Sequence, residues 1–327
     1  MDPGTTLIIG PGAVGLGLGS CLGAAGRPIH FIAPPGQDPH PLELQGLRRR
    51  GIFGEVRVAP KTLGVSRSLA ELQGLTIESV LVCTKSTANP EIARDLADFC
   101  RALPRPPQVV ICQNGWGNAE IFAQVLEPRR VASASILTGF RRDGDHGVEI
   151  TVHARAIQIG SLFTPETRSL ESLCAAIRRG GIPCEASPTI AAELGAKLLY
   201  NCLLNPLGAL ARVPYGRLGE AESTRSIMAA VAREVFAVLH AGGYSTHWPD
   251  ADRYLESFYR DLLPPTEGHE SSMLQDLEAN RKTEIDSLCG AVSRMGDELG
   301  IATPVNRALL DLIHAAERGG AEGESIP

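Results

Sequence analysis

Short apolar runs alternate with helix-length segments through the first half of the chain: Leu7-Ile8-Ile9, then Ile29 to Ala33, Val80 to Cys83, Val109 to Cys112 and Val131 to Leu137. The runs are largely unbroken by polar residues. That suits strands buried on both faces, as in a parallel sheet covered by helices. The segments between them, including Ala13 to Ala25, Asn89 to Leu103 and Asn118 to Leu126, carry helix formers and have crossover length. The pattern predicts an α/β fold with a doubly wound parallel sheet. Two more strands, Val148 to His153 and Ala156 to Ile159, are expected before a helix over Glu166 to Arg179.

Beyond Pro188 the β-branched runs disappear and long helical patterns take over, at Ile190 to Arg212, Glu222 to Ala241, Asp250 to Leu262, Thr283 to Leu299 and Pro304 to Arg318. The reading is an α/β domain over 1–187 and an all-helical domain over 188–327, a division that suits the chain's 327 residues. The Gly- and Glu-rich tail from Gly319 to Pro327 is expected to fray.

Composition narrows the function. A chain 43% hydrophobic and 21% charged is that of a soluble globular protein, and no stretch approaches the roughly 18 uninterrupted apolar residues of a membrane helix. The net charge of -6, with Arg48 to Arg50 as the one basic run, offers no stripe for a phosphate backbone, so neither nucleic acid nor membrane is an expected partner. The N-terminus runs directly into an apolar strand without a signal-peptide pattern, which reads as cytoplasmic. Eight cysteines at irregular spacing, without a Cys-x-x-Cys pair, read as buried reduced thiols, and no metal site is expected.

The chemistry begins at Gly10-Pro11-Gly12-Ala13-Val14-Gly15, directly after the first strand and at the start of an apolar helix. In that context Gly10 permits a tight turn and Gly12 lets backbone approach a pyrophosphate. Gly15 lets helix and strand pack closely, and the helix N-terminus faces the phosphates. The alternative is a merely tight turn. A dinucleotide fold reads the adenosine ribose at the end of its second strand, by an acid for a 2′-hydroxyl or an arginine for a 2′-phosphate. Here Ala33-Pro34 supplies neither, so NAD and NADP both stay open. Arg48 to Arg50 downstream reads as a solvated helix face rather than a phosphate clamp.

Two later strands end in polar residues at the carboxyl edge, where α/β sheets bind ligands: Cys83-Thr84-Lys85-Ser86 and Cys112-Gln113-Asn114-Gly115-Trp116-Gly117. Lys85 alone reads equally as a surface lysine, and Asn114-Gly115 as an ordinary turn. In the helical half, Lys197, Asn201 and Asn205 recur at i, i+4 and i+8 among leucines, one face of one helix. A solvated stripe is normally built from Glu, Lys and Arg, so this row favours a site, with the lysine able to protonate a carbonyl oxygen and the asparagines to hold polar groups. Farther on, Ser272 is a candidate for a carboxylate and Glu284 for a ribose or for orienting Lys197. The competing reading is helix capping by the serine and Thr283.

Together these residues resemble the ketopantoate reductase (2-dehydropantoate 2-reductase) family. The resemblance spans nearly the whole chain: the glycine fingerprint, Lys85, Gln113-Asn114-Gly115-x-Gly117, Lys197-x-x-x-Asn201-x-x-x-Asn205-Pro206, and Ser271-Ser272-Met273-x-Gln275-Asp276 followed by Thr283-Glu284-Ile285-Asp286. It implies a Rossmann-like domain and a helical domain like that of 6-phosphogluconate dehydrogenase. The implied activity is NADPH-dependent reduction of ketopantoate to pantoate for pantothenate and coenzyme A synthesis. By the same resemblance Lys197 is the proton donor and Asn114, Asn201, Asn205 and Ser272 contact substrate. On the cofactor side stand Gly10, Pro11, Gly12, Ala13, Val14 and Gly15, with Lys85, Asn114 and Glu284. The chain departs from the family at Ala33-Pro34, where an arginine usually follows, at Tyr215-Gly216 in place of Asn-Gly, and near His269-Glu270, where an asparagine is usual. A different branched 2-keto acid and a catalytically silent dinucleotide sensor are the alternatives. The oligomeric state, with a homodimer one option, does not follow from sequence.

Overall fold

The computed structural model describes residues 4–33, 40–72 and 74–321, and its first element, Thr5–Ile9 (β1), is the strand that precedes the glycine fingerprint. There follow α1 (Ala13–Ala24), β2 (Ile29–Ile32), α2 (His40–Gln45), β3 (Leu47–Gly51), β4 (Val56–Val58), β5 (Leu63–Ser66), β6 (Ile77–Val82) and α3 (Asn89–Ala102). Next come β7 (Gln108–Ile111), α4 (Asn118–Ala123), β8 (Val131–Ser135), β9 (Thr138–Arg142), β10 (Gly147–His153), β11 (Ile157–Gly160), α5 (Glu171–Arg179) and β12 (Cys184–Ala186). The remainder is helical: α6 (Ile190–Ala211), α7 (Tyr215–Glu220), α8 (Glu222–Ala241), α9 (Ala251–Ser257), α10 (Ser272–Glu278), α11 (Cys289–Leu299) and α12 (Pro304–Ala321).

Two compact units emerge, one comprising the residues up to Gln113 with Asn118–Ile190, the other Asn114–Gly117 with Ala191 onward. In the first, eight strands run in the order β12-β11-β8-β7-β6-β1-β2-β5, with every pairing parallel except β11 with β8. The unbroken apolar runs have a direct cause, since both faces are covered. Ile8, Phe31, Leu81 and Val110 face a core shared with Leu18 and Leu22 of α1 and Leu173 and Ile177 of α5. The alternate residues Leu7, Ile9, Val80, Val82, Val109 and Ile111 face Leu96 of α3 and Phe122 of α4.

A second sheet, β4-β3-β10-β9, corrects one expectation. The segment Val148 to His153 is a strand as predicted, paired with β3 and β9, and its Val148 and Ile150 cap the α1 face of the core. Arg48 to Arg50 form part of strand β3, not a solvated helix face. The period of two sends Leu47 and Arg49 inward, at 1% and 2% exposure. Arg49 Nη1 donates to the Gly180 carbonyl at 2.8 Å and meets Cys21 Sγ at 3.1 Å. Arg48 and Arg50 pair with Asp143 at 2.7 and 3.0 Å.

In the second unit, α8 packs against α9, α11 and α12. No strand follows Ala186 among the described residues. The helix expected over Asp250 to Leu262 ends in a π-helical turn from Phe258, and the one expected over Thr283 to Leu299 is broken. A 3-10 turn over Ile285–Ser287 gives way to α11 at Cys289, because Leu288 adopts φ -106°, ψ -104°, which no helix continues. Helix α12 carries on through Gly319 to Ala321 where fraying was expected, and 322–327 lie outside the described residues. All eight cysteines are free thiols, and all but Cys83 are buried. Among the described residues no helix is long and apolar enough to cross a membrane.

Candidate active site

The strands of the large sheet end in step. Register pairs Ile9 with Ile32 and with Val82, and Val82 with Ile111, so Gly10, Cys83 and Cys112 stand side by side at one carboxyl edge. Backbone bonds continue one residue past the strands, from Gly10 N to Ile32 O (3.0 Å), Cys83 N to Ile9 O (2.8 Å) and Cys112 N to Val82 O (2.9 Å). Gly10 turns there at φ +97°, a conformation that a side chain disfavours. Gly15 sits so close under the turn that a Cβ would lie 2.2 Å from the Gly10 carbonyl. Gly12, the N-cap residue of α1, differs: a Cβ there would meet only the Cys83 carbonyl, at 4.0 Å, and no side chain caps this helix end. The N-terminus of α1 is thus a positive dipole end with no side-chain cap and little crowding at Gly12, an arrangement suited to a phosphate.

Loops at this edge are tied by a buried amide network. Asn89, fully buried at the start of α3, donates to Gln113 Oε1 (2.8 Å) and Asn118 Oδ1 (3.0 Å), and Gln113 Nε2 returns a bond to Asn89 Oδ1 (2.7 Å). Gln113 Nε2 also reaches Thr84 Oγ1 at 3.3 Å, one residue before Lys85, which is exposed and precedes a 3-10 turn. Composition offered no sign of this network, because its members are split between two β–α connections and the helix starts that follow them. The same edge holds another unanticipated group: Ala33 N bonds Ser66 O at 3.0 Å, so the exposed Arg67 follows β5 beside the end of β2. Pro34 itself lies outside the described residues.

In the second unit, the Asn114–Gly117 loop is seated on the 3-10 turn. Trp116 N donates to Ser287 O (2.8 Å), the Trp116 ring meets Tyr244 edge-on at 4.8 Å, and Gly115, at φ +95°, passes so close that a Cβ would stand 2.1 Å from Ser287 O. Asn114 Nδ2 donates to Glu284 Oε2 at 3.0 Å. Glu284 therefore stands at a helix break with its carboxylate engaged, rather than in the first turn of a long helix.

Lys197, Asn201 and Asn205 do share one face of a helix, since α6 is continuous from Ile190 to Ala211. Lys197 is half-buried. Asn201 is 9% exposed and its amide meets no hydrogen-bond partner among the described residues. Asn205, 6% exposed, accepts from the Tyr215 hydroxyl through Oδ1, and its backbone carbonyl accepts from Ser271 Oγ at 2.9 Å. Of the serine pair it is Ser271 that is buried and caps α10, accepting from Met273 N at 3.1 Å, whereas Ser272 is exposed. Capping explains Ser271, and Thr283 likewise accepts from Ile285 N at 3.2 Å. The signal for Ser271 was present in the sequence, a serine just ahead of an apolar helix. Tyr215 stood out in the sequence only as a departure from the family's Asn-Gly, and nothing there pointed to its bond with Asn205.

Comparison with known proteins identifies the family. The profile of the family described as ketopantoate reductase PanE/ApbA matches residues 6–162, and that of its C-terminal part matches 189–317. A 2-dehydropantoate 2-reductase of Aquifex aeolicus is 30% identical, with 95% of this chain and 96% of that protein covered. A crystal structure of a PanE/ApbA family ketopantoate reductase from Ralstonia eutropha superposes with a TM-score of 0.83 at 31% identity, over 97% of this chain and all of the other. D-mandelate dehydrogenase in ternary complex with NADH and anilino(oxo)acetate shares the fold, with a TM-score of 0.83 at 21% identity over 97% and 99% of the two chains.

Proposed function

The chain belongs to the ketopantoate reductase family, and on that premise we propose that it reduces 2-dehydropantoate (ketopantoate) to pantoate with a nicotinamide dinucleotide as reductant and Lys197 as proton donor. The observation that carries this reading is the α6 face. Neither end of the Asn201 amide is engaged among the described residues, so this face offers an unspent donor and acceptor to a polar ligand. That ligand lies one helical turn from Lys197 and one from Asn205.

A dinucleotide fits the glycine turn. Gly12 leaves the room a pyrophosphate needs and the first-turn amides of α1 supply donors, with Lys85 as a cation at the same edge. When bound, the reduced nicotinamide supplies the hydride. The protein's own part is to hold the keto acid through Asn201, Asn205 and Ser272 and to deliver a proton from Lys197 Nζ to the keto oxygen, relieving the charge that develops there. Asn114, oriented by Glu284, serves substrate and cofactor together. In this reading residues 1–187 bind the dinucleotide and 188–327 supply the acid.

We assign the cofactor as NADP(H), as the family resemblance implies, but without the usual clamp. Arg49 is buried, Arg48 and Arg50 are held by Asp143, and Arg67 is the cation beside the end of β2. NADPH preference over NADH should accordingly be weak, about tenfold or less. The test is loss of nicotinamide absorbance when purified protein meets ketopantoate and a panel of 2-keto acids, with each cofactor separately. Turnover of ketopantoate with both is the expected result; silence with every acid despite cofactor binding rejects the reading.

A further inference from the structure

We propose that Tyr215 is a positioning residue for substrate selection. Its hydroxyl locks the Asn205 amide so that only N–H donors are offered to the ligand, and the site thereby prefers a 2-keto acid carboxylate to the corresponding 2-keto amide. The proposal rests on the reading of α6 as the substrate face.

Asn205 is held at its backbone carbonyl and at its amide oxygen. Ser271 has a single hydroxyl proton and spends it on the Asn205 carbonyl at 2.9 Å while its oxygen accepts from Met273 N. The Tyr215 proton remains for Asn205 Oδ1. Tyr215 is 3% exposed, and burial pushes its phenol above the ordinary range, so the proton stays in place at neutral pH. The tyrosine is itself held. Its backbone N donates to His269 O at 3.0 Å, Gly216 N donates to Glu267 O at 2.8 Å, and its ring meets Tyr200 and His269 at 6.4 and 5.4 Å between centroids. With Oδ1 engaged, Nδ2 meets no acceptor among the described residues. Asn201, one turn earlier, has neither end of its amide fixed among the described residues, so it adapts to donor or acceptor where Asn205 does not. A fixed donor rewards an acceptor-only carboxylate oxygen and opposes a carboxamide N–H, the asymmetry by which buried polar groups discriminate.

Tyr215→Phe keeps the ring and its packing and removes only the hydroxyl. The expected result is a KM for ketopantoate raised about tenfold, kcat within about twofold, and a preference for acid over keto amide reduced about tenfold, with the melting temperature lowered by a few degrees at most. In an Asn205→Ala background the same change should add nothing. Unchanged KM and unchanged acid-to-amide preference in Tyr215→Phe, with a raised KM in Asn205→Ala, overturn the positioning role alone. If Asn205→Ala also leaves KM unchanged, the substrate face on α6 falls with it.

Discussion

Asn114 and Glu284, 170 residues apart in the chain, are joined by a hydrogen bond of 3.0 Å from the amide Nδ2 to the carboxylate Oε2. The bond fixes which end of the Asn114 amide is engaged, and a bond to a charged acceptor is worth roughly 1.5–3 kcal/mol. Glu284→Ala should therefore lower kcat/KM about 10- to 100-fold, while Glu284→Gln, which keeps an acceptor, should lose less. Steady-state kinetics of the two variants decide it; equal losses would mean the carboxylate acts by charge and not by orienting Asn114.

Gly12 and Gly15 separate binding from folding. A methyl group at Gly15 would collide with the Gly10 carbonyl at 2.2 Å, whereas one at Gly12 meets nothing closer than 4.0 Å. Gly15→Ala should lower the melting temperature by several degrees. Gly12→Ala should leave it unchanged and weaken NADPH binding at least about tenfold, because the methyl group fills the space of the pyrophosphate. Calorimetry and fluorescence titration distinguish them, and full cofactor affinity in Gly12→Ala would remove the glycine turn from the site.

Much of this was legible in the sequence for identifiable reasons. The parallel strands showed because a strand with Ile8 on one face and Leu7 and Ile9 on the other, both covered, must be apolar throughout. The lysine-asparagine row showed because helix periodicity alone aligns it. Strand β3 was hidden by its own composition: Arg48 and Arg50 point away from the core, and Arg49 buries a guanidinium where an aliphatic side chain is the norm. The pairing of Asn114 with Glu284 and of Asn205 with Tyr215 was not legible, since tertiary folding and not spacing creates it.

Arg49 gives a stability test. Its guanidinium is held by the Gly180 and Phe53 carbonyls and the Cys21 thiol, its Nε meets no acceptor, and no carboxylate pairs with it among the described residues, so much of its contribution comes from filling space under α1. Arg49→Ala should cost about 2–4 kcal/mol in chemical denaturation. Arg49→Met, of similar length and without a charge to desolvate, should recover most of that loss. A methionine variant as unstable as the alanine one would show that the charge itself is needed.

Acid should weaken the fold through histidine before it does so through carboxylates. Burial holds His30, His153 and His269 below the ordinary value of 6.5, against opposing pulls from Glu71 on His30 and Glu270 on His269. These rings stay neutral in the folded chain where the unfolded chain binds protons. Their stabilisation is complete above pH 6.5 and is lost as pH falls toward their folded values. The melting temperature should be level near pH 7–8 and decline between about pH 6.5 and 5, above the carboxylate range. His269→Gln should flatten part of that decline, and a level profile in the native protein would contradict the assignment.

The most direct measurement is single-turnover oxidation of NADPH by Lys197→Ala with saturating ketopantoate, beside a titration of the same variant with NADPH. Losing the general acid should slow turnover about 100- to 10,000-fold while cofactor affinity stays within about twofold of the native value. Turnover at the native rate, or loss of cofactor binding in parallel with rate, would contradict Lys197 as the proton donor.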